Sequence, residues 1–269
     1  TEATGDVVLV LIDQESLELM SEVNAVDWPW PRQFYGFMLG FFEAAGARSV
    51  TIDLILEDSG LFGVDDSLAL QQAAASFSDV VYGIQMRDPD LLQTEPWPDY
   101  VKRPAIEVTG GDVVPGGVPG YGGATWPDPD LVPTNAILAD VQQNNDDDGV
   151  FRRYRLVVNH QGRPVPTLAL GALLASTGEP MELAFRNGTL FVNEMAVPVD
   201  SEGRLLLRYT TPEGEDPETG AVVPAYHRWV PAFDAVISGF NVVQAAEPTL
   251  DPELFAGKHV MIGPSAAGL

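Results

Sequence analysis

The sequence of 269 residues contains no cysteine and few basic residues. The absence of cysteine excludes disulfide bonds, thiol catalysis and zinc-thiolate sites. Only 14 lysines and arginines stand against 39 aspartates and glutamates, which gives a formal net charge of -25. Because such a charge repels phosphate backbones and anionic lipid head groups, we expect no nucleic-acid partner. The excess of carboxylates is typical of a solvated acidic surface, and a cation site is the alternative.

Long apolar runs and catalytic motifs are also missing. No stretch reaches the roughly 18 to 20 apolar residues that a membrane-spanning helix needs. The chain begins without a signal peptide and stops after a strand-like run, so we interpret both ends as boundaries within a longer protein. No P-loop or G-x-S-x-G motif occurs, no G-x-G-x-x-G follows the first strand, and the three histidines lie in unrelated contexts. We expect no cofactor and no enzymatic activity. Sequence alone leaves glycoside hydrolysis by paired carboxylates open, because that reaction depends on the distance between the two carboxyl groups in three dimensions.

The distribution of apolar residues predicts an α/β fold. Val7 to Ile12 is a run of six apolar residues rich in β-branched types, as in a strand buried on both faces. Aromatic residues at helical spacing predict a helix over Pro31 to Ala45. The alternation continues with strands at Ser49 to Leu56, Val80 to Met86 and Lys258 to Gly263, and with a helix at Asp66 to Ser76. This order predicts a mostly parallel central sheet with helices on both faces.

Residues 88–145 differ from the rest of the chain, because proline, glycine and aspartate cluster there. We predict a loop-rich insertion that packs over the sheet or forms a lid, within a single domain of residues 1–269. Beyond it, the pattern predicts a strand over Phe151 to Asn159 and a helix over Pro166 to Ser176. The pattern of residues 182–210 predicts a few short antiparallel strands, with turns at Asn187-Gly188 and Glu202-Gly203.

Two carboxylates close apolar strands, namely Asp13 and Asp53. The carboxyl ends of parallel strands are where open α/β sheets bind ligands. The residue types leave three roles open: capping the following turn or helix, pairing with Arg32, or holding a cation with other acids nearby. Those other acids are Asp58, Asp65 and Asp66. All of these residues form the predicted ligand-binding site, and the identity of any metal stays open.

The run NNDDDG at Asn144 to Gly149 has the spacing of short acids that calcium loops share. The rest of that pattern is missing, because Val157 occupies the twelfth position, where a glutamate is needed. A solvated turn before the next strand is the alternative. Three arginines follow, and alternate strand positions place Arg152 on the opposite face from Arg153 and Arg155. They are candidates for an anion site, with Arg152 as a ligand contact, or for ion pairs with the surrounding acids.

Six segments follow one another in a distinctive order. They are VVLVLIDQESL, WPWPRQFYGFMLGFFEAAGARSVTIDLIL, DDSLALQQAAASFSDVVYG, NDDDGVFRRYRLVV with PTLALGALLA, and GKHVMIGPSAAG. Together they resemble the CHASE sensory domains of type 2, over about Val7 to Leu269. The most distinctive piece is WPWPR at Trp28 to Arg32. We predict that this piece is structural, with the prolines fixing the entry to the helix and a nearby acid such as Asp13 or Asp53 holding Arg32.

The resemblance implies a sensory domain outside the cytoplasmic membrane of a bacterium. The parent protein would be a membrane-embedded receptor whose output is an adenylate or diguanylate cyclase, a histidine kinase or a serine/threonine kinase. An unknown small molecule or ion would be the ligand, and the domain itself would be non-catalytic. Because such output domains work in pairs, we expect a homodimeric receptor and domain termini that face one side. The alternatives are a passive dimerisation module of such a receptor and a secreted hydrolase.

Overall fold

The computed structural model describes residues 5–57, 62–77, 79–87, 94–101, 106–108, 120–142, 145–177, 181–186, 188–207, 213–215, 222–224 and 227–266. In chain order, the strands of these residues are β1 (Val7–Ile12), β2 (Ser49–Ile52), β3 (Val80–Arg87), β4 (Ile106–Val108), β5 (Gly120–Tyr121), β6 (Gly123–Thr125), β7 (Ile137–Asp140), β8 (Arg153–Arg155), β9 (Val157–His160), β10 (Arg163–Pro166), β11 (Met181–Arg186), β12 (Thr189–Val192), β13 (Met195–Pro198), β14 (Arg204–Leu206), β15 (Glu213–Glu215), β16 (Val222–Pro224), β17 (Arg228–Pro231) and β18 (His259–Pro264). The α-helices are α1 (Gln14–Asn24), α2 (Arg32–Ala44), α3 (Val64–Ser76), α4 (Leu168–Thr177) and α5 (Ala232–Val243). Short 3-10 turns occupy Pro129–Leu131 and Pro252–Leu254.

The central sheet of the described residues has the strand order β17, β1, β18, β2, β3, and both β7 and β6 pair with β3. Every neighbouring pair is parallel except that of β3 with β6. All four side chains of β2 are buried, as expected for a strand that helices cover on both sides. The predicted fold class, a mostly parallel sheet with helices and short antiparallel strands, is therefore confirmed.

Helices cover both faces of this sheet. On one face α2 packs against α3 and α5, and Phe41, Phe42 and Tyr82 belong to the larger hydrophobic core. On the other face α4 packs against β2, β3 and β7, and Leu174 shares a second core with Val81. Because Val81 and Tyr82 are consecutive residues of β3, their side chains point to opposite faces of the sheet.

Residues of the predicted insertion contribute to the central sheet. β7 pairs in parallel with β3, so the described part of residues 88–145 is not only loop. The hydroxyl group of Tyr82 donates a hydrogen bond to the carbonyl oxygen of Leu131 at 2.9 Å, and Asp128 N donates to Leu56 O at 2.8 Å. These bonds hold this part of the insertion against the core. Its glycine-rich residues 109–119 lie outside the described residues.

Several boundaries differ from the predicted ones. β2 ends at Ile52, four residues before the predicted end, and the strand predicted over residues 151–159 is divided into β8 and β9. Asn187 of the first predicted turn lies outside the described residues, and Gly203 of the second has a φ of +72°. α1, α5, β7 and β17 are absent from the predictions.

The two ends of the described chain lie at opposite edges of the central sheet. Val7 begins β1 at the amino edge, where Asp6 O accepts a hydrogen bond from His259 N. After β18, Ser265 N and Ala266 N both donate to Ile12 O at the carboxyl edge. A strand of six residues is about 20 Å long. The termini themselves, residues 1–4 and 267–269, lie outside the described residues, so the expectation that both face one side stays a prediction.

Candidate ligand-binding site

Three carboxylates lie where parallel strands of the central sheet end. Asp13 follows β1, Asp53 follows β2, and Asp140 is the last residue of β7. Because the strands are parallel, these positions share the carboxyl edge of the sheet. The placement of Asp13 and Asp53 is the one predicted from the strand pattern, whereas Asp140 was not predicted.

Asp13 is a helix cap. Its Oδ1 accepts a hydrogen bond from Ser16 N at 2.8 Å, which satisfies one of the free N–H groups in the first turn of α1. Burial raises the pKa of the Asp234 carboxyl group, and the charge of Asp13 raises it further. The two carboxylates therefore lie near each other. Capping is one of the three roles that the sequence left open for Asp13.

A cavity of about 430 Å³ opens beside the end of β2. Three segments form its wall: the loop before α2 with the first turn of α2, the residues that follow β2, and the start of α3. The lining residues are Trp28, Pro29, Trp30, Arg32, Tyr35, Leu54, Ile55, Leu56, Glu57, Phe62 and Asp66. Because β2 ends at Ile52, the apolar residues after it are available to line this cavity instead of continuing the strand.

The first turn of α2 is capped by a residue of α3. Pro31 occupies the N-cap position and provides no side-chain acceptor. Asp66, which is buried, replaces that acceptor: its Oδ2 accepts from Arg32 N and its Oδ1 from Gln33 N, both at 2.8 Å. The expected hydrogen bond or ion pair of Arg32 with Asp13 or Asp53 is not present among the described residues. Asp66 holds this segment through the backbone N–H groups of Arg32 and Gln33.

Aromatic rings form one side of the cavity. Trp28 and Trp30 flank Pro29, whose peptide bond with Trp28 is cis, and their ring centroids are 5.8 Å apart in an edge-to-face arrangement. Trp30 also contacts Phe34, with centroids 6.3 Å apart. Trp30 is only 4% exposed, and its Nε1–H has no hydrogen-bond partner among the described residues. A buried donor without an acceptor is unusual in a folded protein.

The charges of Arg32 and Asp66 both act on Tyr35. Burial raises the pKa of the Tyr35 hydroxyl group, the charge of Arg32 lowers it, and that of Asp66 raises it again. The pKa of Tyr82 is also raised by burial and lowered by Arg32. Both hydroxyl groups therefore stay protonated at neutral pH, and the charges of Arg32 and Asp66 act on Tyr35 in opposite directions.

Asp53 and Asp140 belong to a different group of side chains. Burial raises the pKa of Asp53, which does not line the cavity. Asp140 is 1% exposed, its Oδ1 accepts from Met86 N and Gln142 N, and its Oδ2 has no partner among the described residues. Burial raises the pKa of Tyr154 most, and the charges of both aspartates raise it further, so the three groups lie near one another.

Arg152 lies outside the cavity. Its Nη1 donates to both carboxylate oxygens of Asp148 at 2.8 Å and lies 3.5 Å from Asp146 Oδ2. The hydrogen bond with Arg152 is the main reason why the pKa of Asp148 is lowered. Arg153 makes a similar ion pair with Asp146 at 2.7 Å. The arginines thus pair with acids of the neighbouring turn, which is one of the two roles predicted for them.

Of the predicted site residues that the structure describes, only Arg32 and Asp66 line the cavity. Asp65 is exposed in the first turn of α3, and Asp58 and Asn144 lie outside the described residues. Among the residues that the structure describes, no group of three or more histidines and acids is placed to hold a metal ion. The aromatic and apolar lining was not predicted as a site, although the segment Trp28 to Arg32 had been singled out as distinctive.

The family of the chain follows from its sequence as a whole. Residues 1–269, the full length, match the family model described as the CHASE2 domain. The chain belongs to the CHASE2 family. CHASE2 domains are sensory, non-catalytic extracellular domains of signalling receptors. Comparisons of this CHASE2 domain with curated proteins and with solved structures gave no match.

Within the described ranges, the longest helices, α2 and α3, have 13 residues each, too few to cross a lipid bilayer.

Proposed function

We propose that this CHASE2 domain is the extracytoplasmic, ligand-binding part of a bacterial transmembrane receptor. The output domain of this receptor is an adenylate or diguanylate cyclase, a histidine kinase or a serine/threonine kinase, and the receptor is a homodimer. A small molecule binds in the cavity beside Trp30, and the domain catalyses no reaction. The observation that carries the proposal is the cavity of about 430 Å³ at the carboxyl edge of the parallel sheet.

The position and size of the cavity support this function. Open parallel sheets bind ligands outside the carboxyl ends of their strands. Small-molecule sites have volumes of about 300 to 1,000 Å³ and are mostly lined by apolar and aromatic side chains with a few polar groups. The cavity beside Trp30 has both properties, since aromatic and aliphatic residues surround the pair Arg32 and Asp66.

The surrounding structure offers a route for a signal. The cavity is lined by three separate segments, so a ligand that contacts all of them favours one relative arrangement of α2, α3 and the loop after β2. α2 packs against α5, which in turn packs against β1. Ile12 at the end of β1 accepts hydrogen bonds from Ser265 and Ala266. Ser265 and Ala266, which follow β18, therefore lie at the same edge of the sheet that carries the cavity.

A variant that fills the cavity tests this proposal. We expect Leu54→Trp to abolish ligand binding, because Leu54 lines the cavity and the larger ring occupies its volume. A panel of small molecules is screened by thermal denaturation of the wild-type domain. A ligand at 100 times its Kd adds about 2.7 kcal/mol to the free energy of unfolding. This gain should disappear in Leu54→Trp.

Leu206→Trp is the matched control, because Leu206 is 67% exposed on β14 and does not line the cavity. It should bind the same compounds as the wild type. Compounds that stabilise Leu54→Trp as much as the wild type would show that binding occurs elsewhere. The receptor could instead dimerise through the domain while no compound stabilises the domain. This result would favour the passive dimerisation module.

A further inference from the structure

We infer that the outer face of the layer formed by α2, α3 and α5 is the contact surface between two copies of this domain. This surface is called the outer helical face below, and its accessible apolar residues include Phe37, Leu68, Phe240 and Val243. The inference rests on the proposed function, since it takes from it the homodimeric receptor. It goes further by naming the surface that joins the two copies.

The outer helical face is apolar and accessible. α2 is the middle helix, because it packs against both α3 and α5. Phe37, Gly40 and Ala44 are not fully buried and recur every three or four positions, so they lie on one face of α2. Leu68 of α3 is exposed, and Phe240 of α5 is 45% exposed, with its ring centroid 5.8 Å from that of Phe37. Adjacent exposed apolar side chains of this kind are typical of an interaction surface.

Charge is scarce on this face, although the chain carries 39 acidic residues. Among the accessible residues of α2, α3 and α5, only Glu43, Asp65 and Asp234 are charged, and each lies in the first or last turn of its helix. The neighbouring helix α1, which packs against α5, instead exposes three glutamates within its 11 residues. The middle of the outer helical face is therefore uncharged.

This distribution of charge favours a second copy of the domain as the occupant. Two copies with a net charge of -25 each repel one another where their acidic surfaces meet, so they approach most easily through an uncharged face. A basic partner would gain more from the acidic surfaces elsewhere on the domain. The face also offers both a protruding ring at Phe240 and a recess at Gly40, where a Cβ atom would meet nothing within 4 Å. Such a pair suits a two-fold contact, in which each copy presents the same residues to the other.

The size of the face fits a weak dimer. Helices of 12 or 13 residues are about 18 to 20 Å long. Three of them side by side, about 9 Å apart, span about 27 Å. The face therefore covers about 500 Å² on each copy, or about 1,000 Å² in total, which is the range of weak and transient contacts. In a membrane-bound receptor the tether raises the effective concentration of the two copies, so a contact of this size is sufficient.

A row of aromatic rings connects the outer helical face with the cavity. Trp30, which lines the cavity, contacts Phe34, and Phe34 stacks on Phe37 with ring centroids 6.4 Å apart. Phe37 contacts Phe240, which is exposed on the outer helical face. The helix α2 thus contributes both to the wall of the cavity and to the contact surface. A ligand that favours one arrangement of α2 therefore acts directly on the contact between the two copies.

Sedimentation equilibrium of the domain, at concentrations up to about 1 mM and in added salt, tests the inference. Salt screens the repulsion between the two acidic copies and should strengthen the association. We expect the wild type to form dimers reversibly. Phe240→Asp should weaken this association by at least about 30-fold, because it replaces a central aromatic residue of the contact by a charge.

Trp229→Asp is the matched control. Trp229 is 54% exposed on β17, and its neighbour Val230 belongs to the larger hydrophobic core below α2 and α5. Consecutive residues of a strand point to opposite sides, so Trp229 lies on the other face of the sheet. Because Trp229→Asp changes the net charge equally, it should alter the dimer Kd by no more than about 2-fold. Thermal denaturation shows whether both variants are folded.

Three results would overturn the inference. An effect of Trp229→Asp as large as that of Phe240→Asp would exclude the outer helical face as the specific contact. A wild-type domain that stays monomeric at the highest concentration and salt would exclude dimerisation through it. Binding to phosphatidylcholine vesicles that Phe240→Asp abolishes, without self-association, would assign the face to a membrane surface instead. None of these results concerns the cavity, whose role is decided by the comparison of Leu54→Trp with Leu206→Trp.

Discussion

The carboxylate of Asp66 on α3 accepts the backbone N–H of Arg32 at 2.8 Å, so one helix caps the first turn of another. Its second oxygen accepts Gln33 N at the same distance. The cap connects α2 and α3, whose ends form two of the three walls of the cavity. The shape of the cavity therefore depends on a buried acid that sequence analysis had assigned to ligand binding.

Replacement of Asp66 by alanine should destabilise the domain. Two N–H groups at the start of α2 lose their acceptor, and the loss of such a cap or buried bond costs about 1 to 3 kcal/mol. Urea denaturation measures the change in the free energy of unfolding. Asp65→Ala is the matched control, because Asp65 lies in the same turn, carries the same charge and is exposed. It should change stability by no more than about 0.5 kcal/mol, and equal losses in both variants would disprove the capping role.

Gly239→Ala should destabilise the contact between α5 and α2. A Cβ atom at this position would collide with the carbonyl oxygen of Phe37, which belongs to the backbone and cannot rotate away. Overpacking of this kind costs about 1 to 3 kcal/mol. Gly40→Ala on α2 is the control, because a Cβ there meets nothing within 4 Å. Since alanine favours a helix, Gly40→Ala should raise stability by about 0.5 to 1 kcal/mol. Thermal melting of both variants distinguishes the two effects, and a stable Gly239→Ala would contradict the close approach.

Tyr82→Phe should weaken the attachment of the insertion to the core. The hydroxyl group of Tyr82 is fully buried and donates to Leu131 O. Its removal leaves that carbonyl oxygen unpaired, at a cost of about 1 to 3 kcal/mol. Tyr100→Phe removes a comparable bond to Pro127 O from a partly exposed tyrosine, where water can replace it. Hydrogen exchange of the amides at 131 and 132 should quicken in Tyr82→Phe only, and equal exchange in both variants would refute the attachment.

The elements that were predicted correctly are those whose pattern is strong over a short range. Six apolar residues in β1 and the regularly spaced phenylalanines of α2 leave few alternatives. α1 was missed because only Ser16 and Met20 of its residues are buried, so its apolar stripe is weak. β7 was missed because four residues among prolines and glycines do not differ from a loop until β3 pairs with them.

The site was predicted less well than the fold, for a related reason. The end of β2 at Ile52 is invisible in the sequence, because Leu54 to Leu56 are as apolar as the strand itself. The cap of α2 depends on Asp66, 34 residues away from Arg32 along the chain. No local sequence pattern indicates which acid lies at a given helix end. By residue type, Asp13, Asp53 and Asp66 were equal candidates for the cap of α2. The fold decides between them through the packing of α2 on α3.

Asp140 should make the stability of the domain depend on pH between about 4 and 6. Burial raises the pKa of its carboxyl group from 3.8 to about 6, and the hydrogen bonds from Met86 N and Gln142 N lower it only in part. In this range the folded state keeps the proton while the unfolded state releases it, so stability falls as the pH rises. The loss is complete above the folded pKa. It amounts to about 3 kcal/mol at most, at 1.36 kcal/mol for each unit of pKa.

Asp140→Asn removes this dependence, because the amide stays uncharged and keeps an oxygen for the two backbone N–H groups. The difference in free energy of unfolding, variant minus wild type, should increase by about 1 to 3 kcal/mol from pH 4 to pH 7. Urea denaturation at several pH values measures this difference. Asp147→Asn is the control, since Asp147 is exposed and its replacement changes the net charge equally. Because any effect of net charge is then common to both variants, a pH-dependent difference in Asp140→Asn alone must come from the buried carboxyl group. The same pH dependence in both variants would rule out this role for Asp140.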